Sequence, residues 1–175
     1  DWFVYTDVID GSLDYLKLNS VDAKNNSTWT DLLTSASVLE MEGSSTAINA
    51  SGVTYIAYCF APVEGYSAFG SYTGNGSTNG PFVYTGFRPK FLLYKRTDAA
   101  DTVGWILTDS ERNSYNVIDD YLATNTNSAE GTTNIVDFLS NGFKMRIGGA
   151  DGNISAGNYV YACFAEHPFK TARAR

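Results

Sequence analysis

The pattern of apolar positions along the chain predicts many short β-strands, and one apolar stretch occurs twice. Residues 55–61 read Tyr-Ile-Ala-Tyr-Cys-Phe-Ala, and residues 159–165 read Tyr-Val-Tyr-Ala-Cys-Phe-Ala. Both copies are rich in aromatic and β-branched residues, carry no charge and follow a turn that contains glycine. Runs of this length and composition predict strands that are buried on both faces, or nearly so. We therefore expect one β-sheet unit to be used twice, with the two copies as inner strands of stacked sheets.

The other apolar segments are short and are separated by turn residues. They predict strands at residues 2–7, 15–19, 38–42, 67–73, 82–85, 91–96 and 105–109. The Gly- and Asn-rich segment 74–80 predicts a tight exposed turn, and a single helical turn is expected near residues 136–139, ended by Asn141-Gly142. This pattern predicts an all-β fold, a β-sandwich or jelly-roll built from a duplicated strand block.

The order of the predicted strands divides the chain into two unequal repeats. Residues 66–169 hold a complete repeat, residues 1–65 an N-terminally incomplete one, and residues 170–175 a C-terminal tail. The complete repeat has extra strands at 67–97, for which residues 1–65 contain no counterpart. Either the missing strands precede residue 1, which we favour, or segment 67–97 serves both sheets of one continuous sandwich. Because the chain begins at Asp1 with neither Met nor a signal peptide, we interpret it as a piece of a longer protein.

Composition and charge exclude several classes of function. Hydrophobic residues make up 43% of the 175 residues and aromatic residues 14%, which is enough for a packed core. Only 18% are charged, so the surface is polar mainly through hydroxyls and amides, as on many extracellular and virion proteins. The net charge of −7 argues against nucleic-acid binding. No apolar run approaches the roughly 20 residues that cross a bilayer, so membrane insertion is not expected.

The two cysteines, Cys59 and Cys163, stand at matching positions of the repeated stretch. We expect both to be buried free thiols, because cysteine behaves as a small hydrophobic residue. A disulfide requires Cα atoms within about 7 Å, and whether the two ever pair stays open. Two cysteines and one histidine do not make a metal site.

Several polar and aromatic segments, taken together, carry a family resemblance. They are Phe-Gly-Ser-Tyr-Thr-Gly-Asn-Gly at 69–76, Pro-Phe-Val-Tyr-Thr-Gly-Phe-Arg-Pro at 81–89, Lys-Arg-Thr-Asp at 95–98, Asp-Ser-Glu-Arg-Asn at 109–113 and Phe-Ala-Glu-His-Pro-Phe at 164–169. In this order and spacing they resemble a β-rich module of tailed-bacteriophage virion proteins, commonly tail fibres or other tail-associated proteins. The resemblance covers nearly the whole chain.

The resemblance implies a concanavalin-like or jelly-roll sandwich in a virion component that is made in the bacterial cytoplasm. Its expected partners are other virion proteins and a host cell-surface glycan or receptor. A homo-oligomer is also expected, with a trimer favoured because fibre modules are usually trimeric. The family offers no catalytic residues to carry over.

Glycan binding requires an exposed aromatic side chain beside polar groups that fix the sugar hydroxyls. Two places in the sequence offer that mixture. The first candidate ligand site contains Asp109, Glu111, Arg112, Asn113 and Tyr115, and the second contains Tyr72, Asn75 and Tyr84. The competing interpretation is structural: Arg112 pairs with Asp109 or Asp119, and Tyr115 fills the edge of the sandwich.

Signals for catalysis and for metal binding are weak. The chain has no Gly-x-Ser-x-Gly motif, and its only histidine, His167, is expected on the surface after the last strand. Glu40 and Glu42 share one strand face, as a glycosidase pair would, but a solvated strand face explains them equally well. Calcium is conceivable at Asp7, Asp10 and Asp14 or at residues 151–153, yet neither loop has a recognised calcium pattern.

Three functions remain, in order of preference. The first is a non-enzymatic recognition module of a phage tail or fibre. The second is a purely structural decoration or adaptor protein of the virion, and the third is a polysaccharide depolymerase.

Overall fold

The computed structural model of the chain describes residues 1–26, 32–34, 38–41, 46–100 and 104–167, with the backbone alone in residues 32–34. These residues form β-strands and no helix, which confirms the all-β class. No helix in this part of the chain has the length and apolarity needed to cross a membrane. The strands are β1 (Phe3–Thr6), β2 (Asp14–Lys17), β3 (Asn25–Asn26), β4 (Leu32–Thr34), β5 (Leu39–Met41), β6 (Ser67–Thr73), β7 (Phe82–Tyr84), β8 (Pro89–Arg96), β9 (Ile106–Asp109), β10 (Ile118–Ala123), β11 (Gly131–Leu139), β12 (Gly142–Met145) and β13 (Asn158–Ala165).

Eight of the strands form one antiparallel sheet in the order β6-β13-β8-β9-β10-β11-β12-β7. The strands at its two edges, β6 and β7, follow each other in sequence and are joined by residues 74–81. A flat sheet would hold them about 34 Å apart at the usual strand spacing, whereas the nine Cα-to-Cα steps from Thr73 to Phe82 span at most about 32 Å when fully extended. The sheet therefore curls until it is nearly closed.

The main core lies inside this curled sheet. Alternate residues of its strands point inward, as the two-residue period of a strand requires. Tyr159, Tyr161 and Cys163 of β13 meet Phe138 of β11 and Phe143 of β12 there, and all of them are buried.

A smaller sheet, β1-β2-β3, packs on the outside of the large one. Its Leu16 forms a second buried cluster with Trp105 and with Val160, which lies on the outer side of β13. Two hydrogen bonds also join the small sheet region to the large sheet. The indole Nε1 of Trp105 donates to the carbonyl of Lys17 at 2.9 Å, and the buried ammonium of Lys95 donates to the carbonyl of Val21 at 3.0 Å. The remaining pair, β4-β5, forms a two-stranded sheet.

Strand pairing repeats along the chain with the same register. In the pair β1-β2, Val4 faces Leu16, just as Leu107 faces Leu122 in β9-β10. In β2-β3, Asp14 faces Asn26, just as Asp120 faces Thr132 in β10-β11. In β4-β5, Leu32 faces Met41, just as Val136 faces Met145 in β11-β12. One closing hydrogen bond also recurs, from Leu18 to the Trp2 carbonyl at 2.8 Å and from Thr124 to the Trp105 carbonyl at 3.0 Å. Strands β1–β5 are thus counterparts of β9–β12, with β3 and β4 together matching β11.

The two copies of the repeated apolar stretch differ in both structure and burial. Residues 159–165 are the predicted inner strand, within β13. The prediction of a second buried strand at residues 55–61 is wrong, because every one of these residues is exposed and none belongs to a strand. The physical reason is a lack of neighbours: β13 lies between β6 and β8, and residues 1–65 contain no counterparts of those two strands among their described elements.

Two smaller expectations also change. Residues 136–139 are the end of β11 and not a helical turn, because Val136 and Phe138 point into the core on alternate positions. Asn141 lies in the short hairpin loop to β12, whose first residue is Gly142. The thiols are both free, but only Cys163 is buried, since Cys59 lies in the exposed stretch.

Candidate functional site

The first predicted ligand site, residues 109–115, is a loop that uses most of its polar groups to hold itself together. The Asp109 carboxylate accepts backbone hydrogen bonds from Glu111 and Arg112, both at 3.0 Å. The Arg112 guanidinium pairs with Asp109 at 3.4 Å and with Glu130 at 3.2 Å. The pairing with Asp109 was anticipated as the structural interpretation, and Asp109 and Arg112 thus mainly stabilise the loop itself, although the buried Arg112 Nη1 atom has no hydrogen-bond partner among the described residues.

Two further residues of this loop are also engaged. The Asn113 side chain accepts from the backbone of Asp119 and Asp120 at 3.1 and 2.8 Å. Glu111 forms an ion pair with Lys90, and the hydrogen bond to Glu111 raises the pKa of the Lys90 ammonium. Tyr115 differs, because its side chain is 86% exposed and does not plug the edge of the sheet. The loop therefore presents one exposed aromatic ring, beside polar groups that mostly bind other residues of the protein.

The three residues of the second predicted site have three different environments. Tyr72 was expected as an exposed contact, and this is wrong: it stacks on Tyr159 with ring centroids 5.0 Å apart and donates to the Gly152 carbonyl at 2.7 Å. It lies there because its place in β6 points into the core. Asn75 shapes the exposed loop 74–80 through the buried side chain of Asn153, which accepts from the Asn75 backbone at 2.8 Å. Only Tyr84 is available to a ligand, with 69% of its surface exposed.

Tyr84 belongs to a group of side chains on the outer face of the large sheet, which we call the β7 face. It contains Phe82 and Tyr84 of β7, Asp137 of β11, Lys144 of β12 and Arg146 just after β12. Phe82 and Tyr84 share one side of the strand because they are two residues apart. Phe82 is 46% exposed, whereas Val83 between them is buried in the core.

The register of the sheet brings the charged members of the β7 face next to these rings. Lys144 lies opposite Phe82 on one side and Asp137 on the other. Its ammonium donates to the Gly80 carbonyl at 3.0 Å, and Arg146 forms an ion pair with Asp137 at 3.1 Å. Two exposed rings therefore border a row of charged hydrogen-bonding groups.

Glycine at position 142 fixes the position of one of these rings. Gly142 lies opposite Tyr84. A methyl group on Gly142 would come within 2.1 Å of the Val83 carbonyl oxygen and 3.0 Å of the Phe82 ring. The absence of a side chain there lets β7 approach β12 closely, with the Phe82 ring next to the glycine.

A cleft of about 580 Å³ adjoins the β7 face at Arg146. Its lining is mostly uncharged and polar, consisting of Thr78, Asn79, Val117, Thr133, Asn134, Arg146, Ile147 and Gly148. Hydroxyl, amide and guanidinium groups of this kind suit a ligand rich in hydroxyl groups.

The acidic turn at residues 7–14 holds a lysine. The Lys24 ammonium contacts Asp10 and also pairs with buried Asp14 at 2.8 Å. Hydrogen bonds from Lys24 and Ser12 hold the pKa of the Asp10 carboxyl well below its usual range. In the described part of the chain, no group of three or more His, Cys, Asp or Glu side chains is placed to hold a metal ion. At the other calcium candidate, the Asn153 side chain binds neighbouring loops.

The remaining candidates for chemistry are His167, Glu40 and Glu42. His167 is exposed after β13, as predicted. Glu40 is exposed on β5, and Glu42 lies outside the described residues.

The residues of the β7 face that sequence reasoning missed are Phe82, Asp137, Lys144 and Arg146. Their alternation along strands was visible, but Phe82-Val83-Tyr84 is apolar at every position and reads as a strand buried on both faces. In the curled sheet Val83 points into the core, whereas Phe82 and Tyr84 point outward and stay exposed.

Comparison with known proteins gives a family without an assigned activity. Searches of curated proteins and of solved structures found no match. The profile of a family described as "Domain of unknown function (DUF7483)" matches residues 1–168, and the chain therefore belongs to that family.

Proposed function

We propose that this chain is a non-enzymatic recognition module of a phage tail or fibre, and that it binds a host-surface glycan through the β7 face. One observation carries the proposal: Tyr84 and Phe82 are exposed side by side, 69% and 46%, on an open sheet face that also presents Lys144 and the Arg146–Asp137 ion pair. Tyr84 comes from the second site predicted from sequence, and the fold places Phe82 and these charged side chains beside it.

The chemistry of the β7 face fits a sugar. The apolar C–H face of a pyranose ring stacks on an aromatic ring, while its hydroxyl groups need fixed donors and acceptors. Lys144 and Arg146 supply donors and Asp137 supplies acceptors, and hydrogen bonds to charged groups are the stronger ones. The adjacent cleft extends the surface for further sugar units with Thr78, Asn79 and Asn134.

The proposal includes the finer architecture and the setting. A jelly-roll or concanavalin-like sandwich is supported by the curled antiparallel sheet with its inner core. The setting in a virion, alongside other virion proteins and as a homo-oligomer with a trimer favoured, rests on the resemblance of segments 69–76 and 81–89 to phage tail modules.

The first test is Tyr84→Ala, measured by binding to an array of bacterial surface polysaccharides. We expect about a tenfold loss of affinity, because a lost aromatic contact of about 1.4 kcal/mol corresponds to that factor. Tyr115→Ala is the matched control, since it removes an even more exposed tyrosine from the competing loop, and its affinity should equal that of the parent chain.

The opposite pattern, loss of binding in Tyr115→Ala with full binding in Tyr84→Ala, would move the site to residues 109–115. If the parent chain binds no polysaccharide and no host cell, glycan recognition itself is wrong.

A second function, as a structural adaptor that binds other virion proteins, is favoured by a different observation. The exposed residues 55–61 form a continuous apolar segment of a kind that proteins usually cover. This function would be favoured over the first if a virion protein co-purified with the chain and the chain bound no polysaccharide on the array.

A further inference from the structure

Residues 55–61, which we call the ribbon, form a continuous exposed apolar segment. Ile56, Tyr58 and Phe60 are 69%, 69% and 67% exposed, and the segment contains no charged residue. Its aromatic and β-branched side chains favour a β-strand, but the segment is not part of any strand. A ribbon of this composition left in water is a template for strand pairing.

The ribbon has contacts at both sides, but no strand in the described part of the chain pairs with it. Near its C-terminal end, the Phe60 ring lies 6.1 Å from Phe69 and 6.0 Å from Phe164, on the outer face of the large sheet. In its middle, the Tyr58 ring stacks at 6.4 Å on Trp2, which immediately precedes β1. The ribbon therefore runs between the large sheet and the edge strand of the small sheet.

The second repeat shows what fills this position. There β8 lies between β13, the counterpart of the ribbon, and β9, the counterpart of β1. Leu92 of β8 faces Cys163, and Leu93 faces Leu107. Because Cys59 matches Cys163 and Val4 matches Leu107, a strand of the β8 type would face Tyr55–Phe60 on one side and Phe3–Thr6 on the other.

Charge supports the same register. Continuing the pairing past β1 puts the position of Lys90 opposite Asp7 and the position of Arg96 opposite Asp1. Asp7 is exposed, and the Asp1 carboxylate is 43% exposed in its ion pair with Lys17. A strand that is apolar in the middle and basic at both ends, as β8 is, thus matches an apolar ribbon flanked by carboxylates.

We propose that the ribbon and β1 form the two walls of a strand-acceptor site, and that its occupant is a β8-type strand from polypeptide outside residues 1–175. The incoming strand completes the first repeat by antiparallel pairing with both walls, as in β-strand addition. A second copy of this chain does not fit as the donor. Its own β8 is enclosed between β13 and β9, with Leu92 fully buried. This proposal is independent of glycan binding.

The test adds a second β8 strand to the chain, at the same distance before β1 as the native β8 has before β9. A second copy of residues 66–103 is fused ahead of Asp1, which stands at the position equivalent to Gly104. In this fusion we expect alkylation of Cys59 and amide hydrogen exchange at residues 55–61 to slow by about tenfold or more, because strand pairing closes both to solvent.

The control is the same fusion with Leu92→Pro and Leu93→Pro in the added copy alone. Two consecutive prolines remove a backbone donor from each edge of the strand, so Cys59 should react as fast as in the unmodified chain. The proposal is overturned if the intact fusion leaves Cys59 and residues 55–61 as reactive as before. It is equally overturned if light scattering shows the unmodified chain to be a dimer in which Cys59 is already protected, because a second copy is then the occupant.

Discussion

At the scale of single residues, nearly identical local sequences place two cysteines in opposite environments. Cys59 and Cys163 both stand in an Ala-Cys-Phe-Ala or Tyr-Cys-Phe-Ala context. Burial raises the pKa of the Cys163 thiol to about 12, whereas Cys59 is exposed to solvent. Since the thiolate is the reactive form, the environment and not the motif determines which cysteine reacts.

Alkylation of the native chain at neutral pH should therefore add one label, at Cys59. Mass spectrometry counts the labels, and Cys59→Ser should accept none until the protein is unfolded. A second label on the folded parent chain, or rapid labelling of Cys59→Ser, would show that β13 is not buried as described.

At the scale of elements, β6 and β13 fit together through a ring next to a glycine. Tyr161 faces Gly70 across the two strands. A methyl group on Gly70 would come within 2.8 Å of the Tyr161 hydroxyl oxygen and 3.0 Å of two ring carbons. The close approach of strand and ring is thus possible only without a side chain at position 70.

Gly70→Ala should lower the free energy of unfolding by about 1–3 kcal/mol, the usual range for overpacking a core. Urea denaturation followed by tryptophan fluorescence measures the change. Gly149→Ala is the matched control, because a methyl group there meets no atom within 4 Å, and its stability should stay close to that of the parent. Equal stability of the two variants would contradict the packing described for Tyr161.

At the scale of the whole molecule, the core is rich in phenols that must stay protonated. Burial raises the pKa of Tyr72 well above its ordinary value of 10.0, and burial raises the pKa of Tyr161 to about 12. In the unfolded chain these groups ionise near their ordinary values. A raised pKa in the folded state means that their contribution to stability is complete below pH 10 and is lost as the pH rises above it.

Urea denaturation between neutral pH and pH 12 should accordingly show stability that falls from about pH 10 upward. Tyr72→Phe should lose about 1 kcal/mol at neutral pH with its hydrogen bond to Gly152, and should then decline less steeply in alkali. If the parent and Tyr72→Phe decline in parallel, Tyr72 does not contribute to the alkaline loss.

What the sequence by itself determined is the all-β class, the repeat and many of the strands, because these depend on local alternation and turn chemistry. The segments at 67–73 and 91–96 lie in β6 and β8 as predicted. Only the tertiary structure decided which apolar segments are covered. Residues 55–61 and 159–165 have nearly the same sequence, yet burial depends on neighbouring strands that lie far away in the chain. Residues 159–165 have β6 and β8 beside them, whereas no described strand pairs with residues 55–61. The tertiary structure also separates Tyr72 from Tyr84: both lie in edge strands, but Tyr72 points to the inner face of the curled sheet and Tyr84 to its outer face.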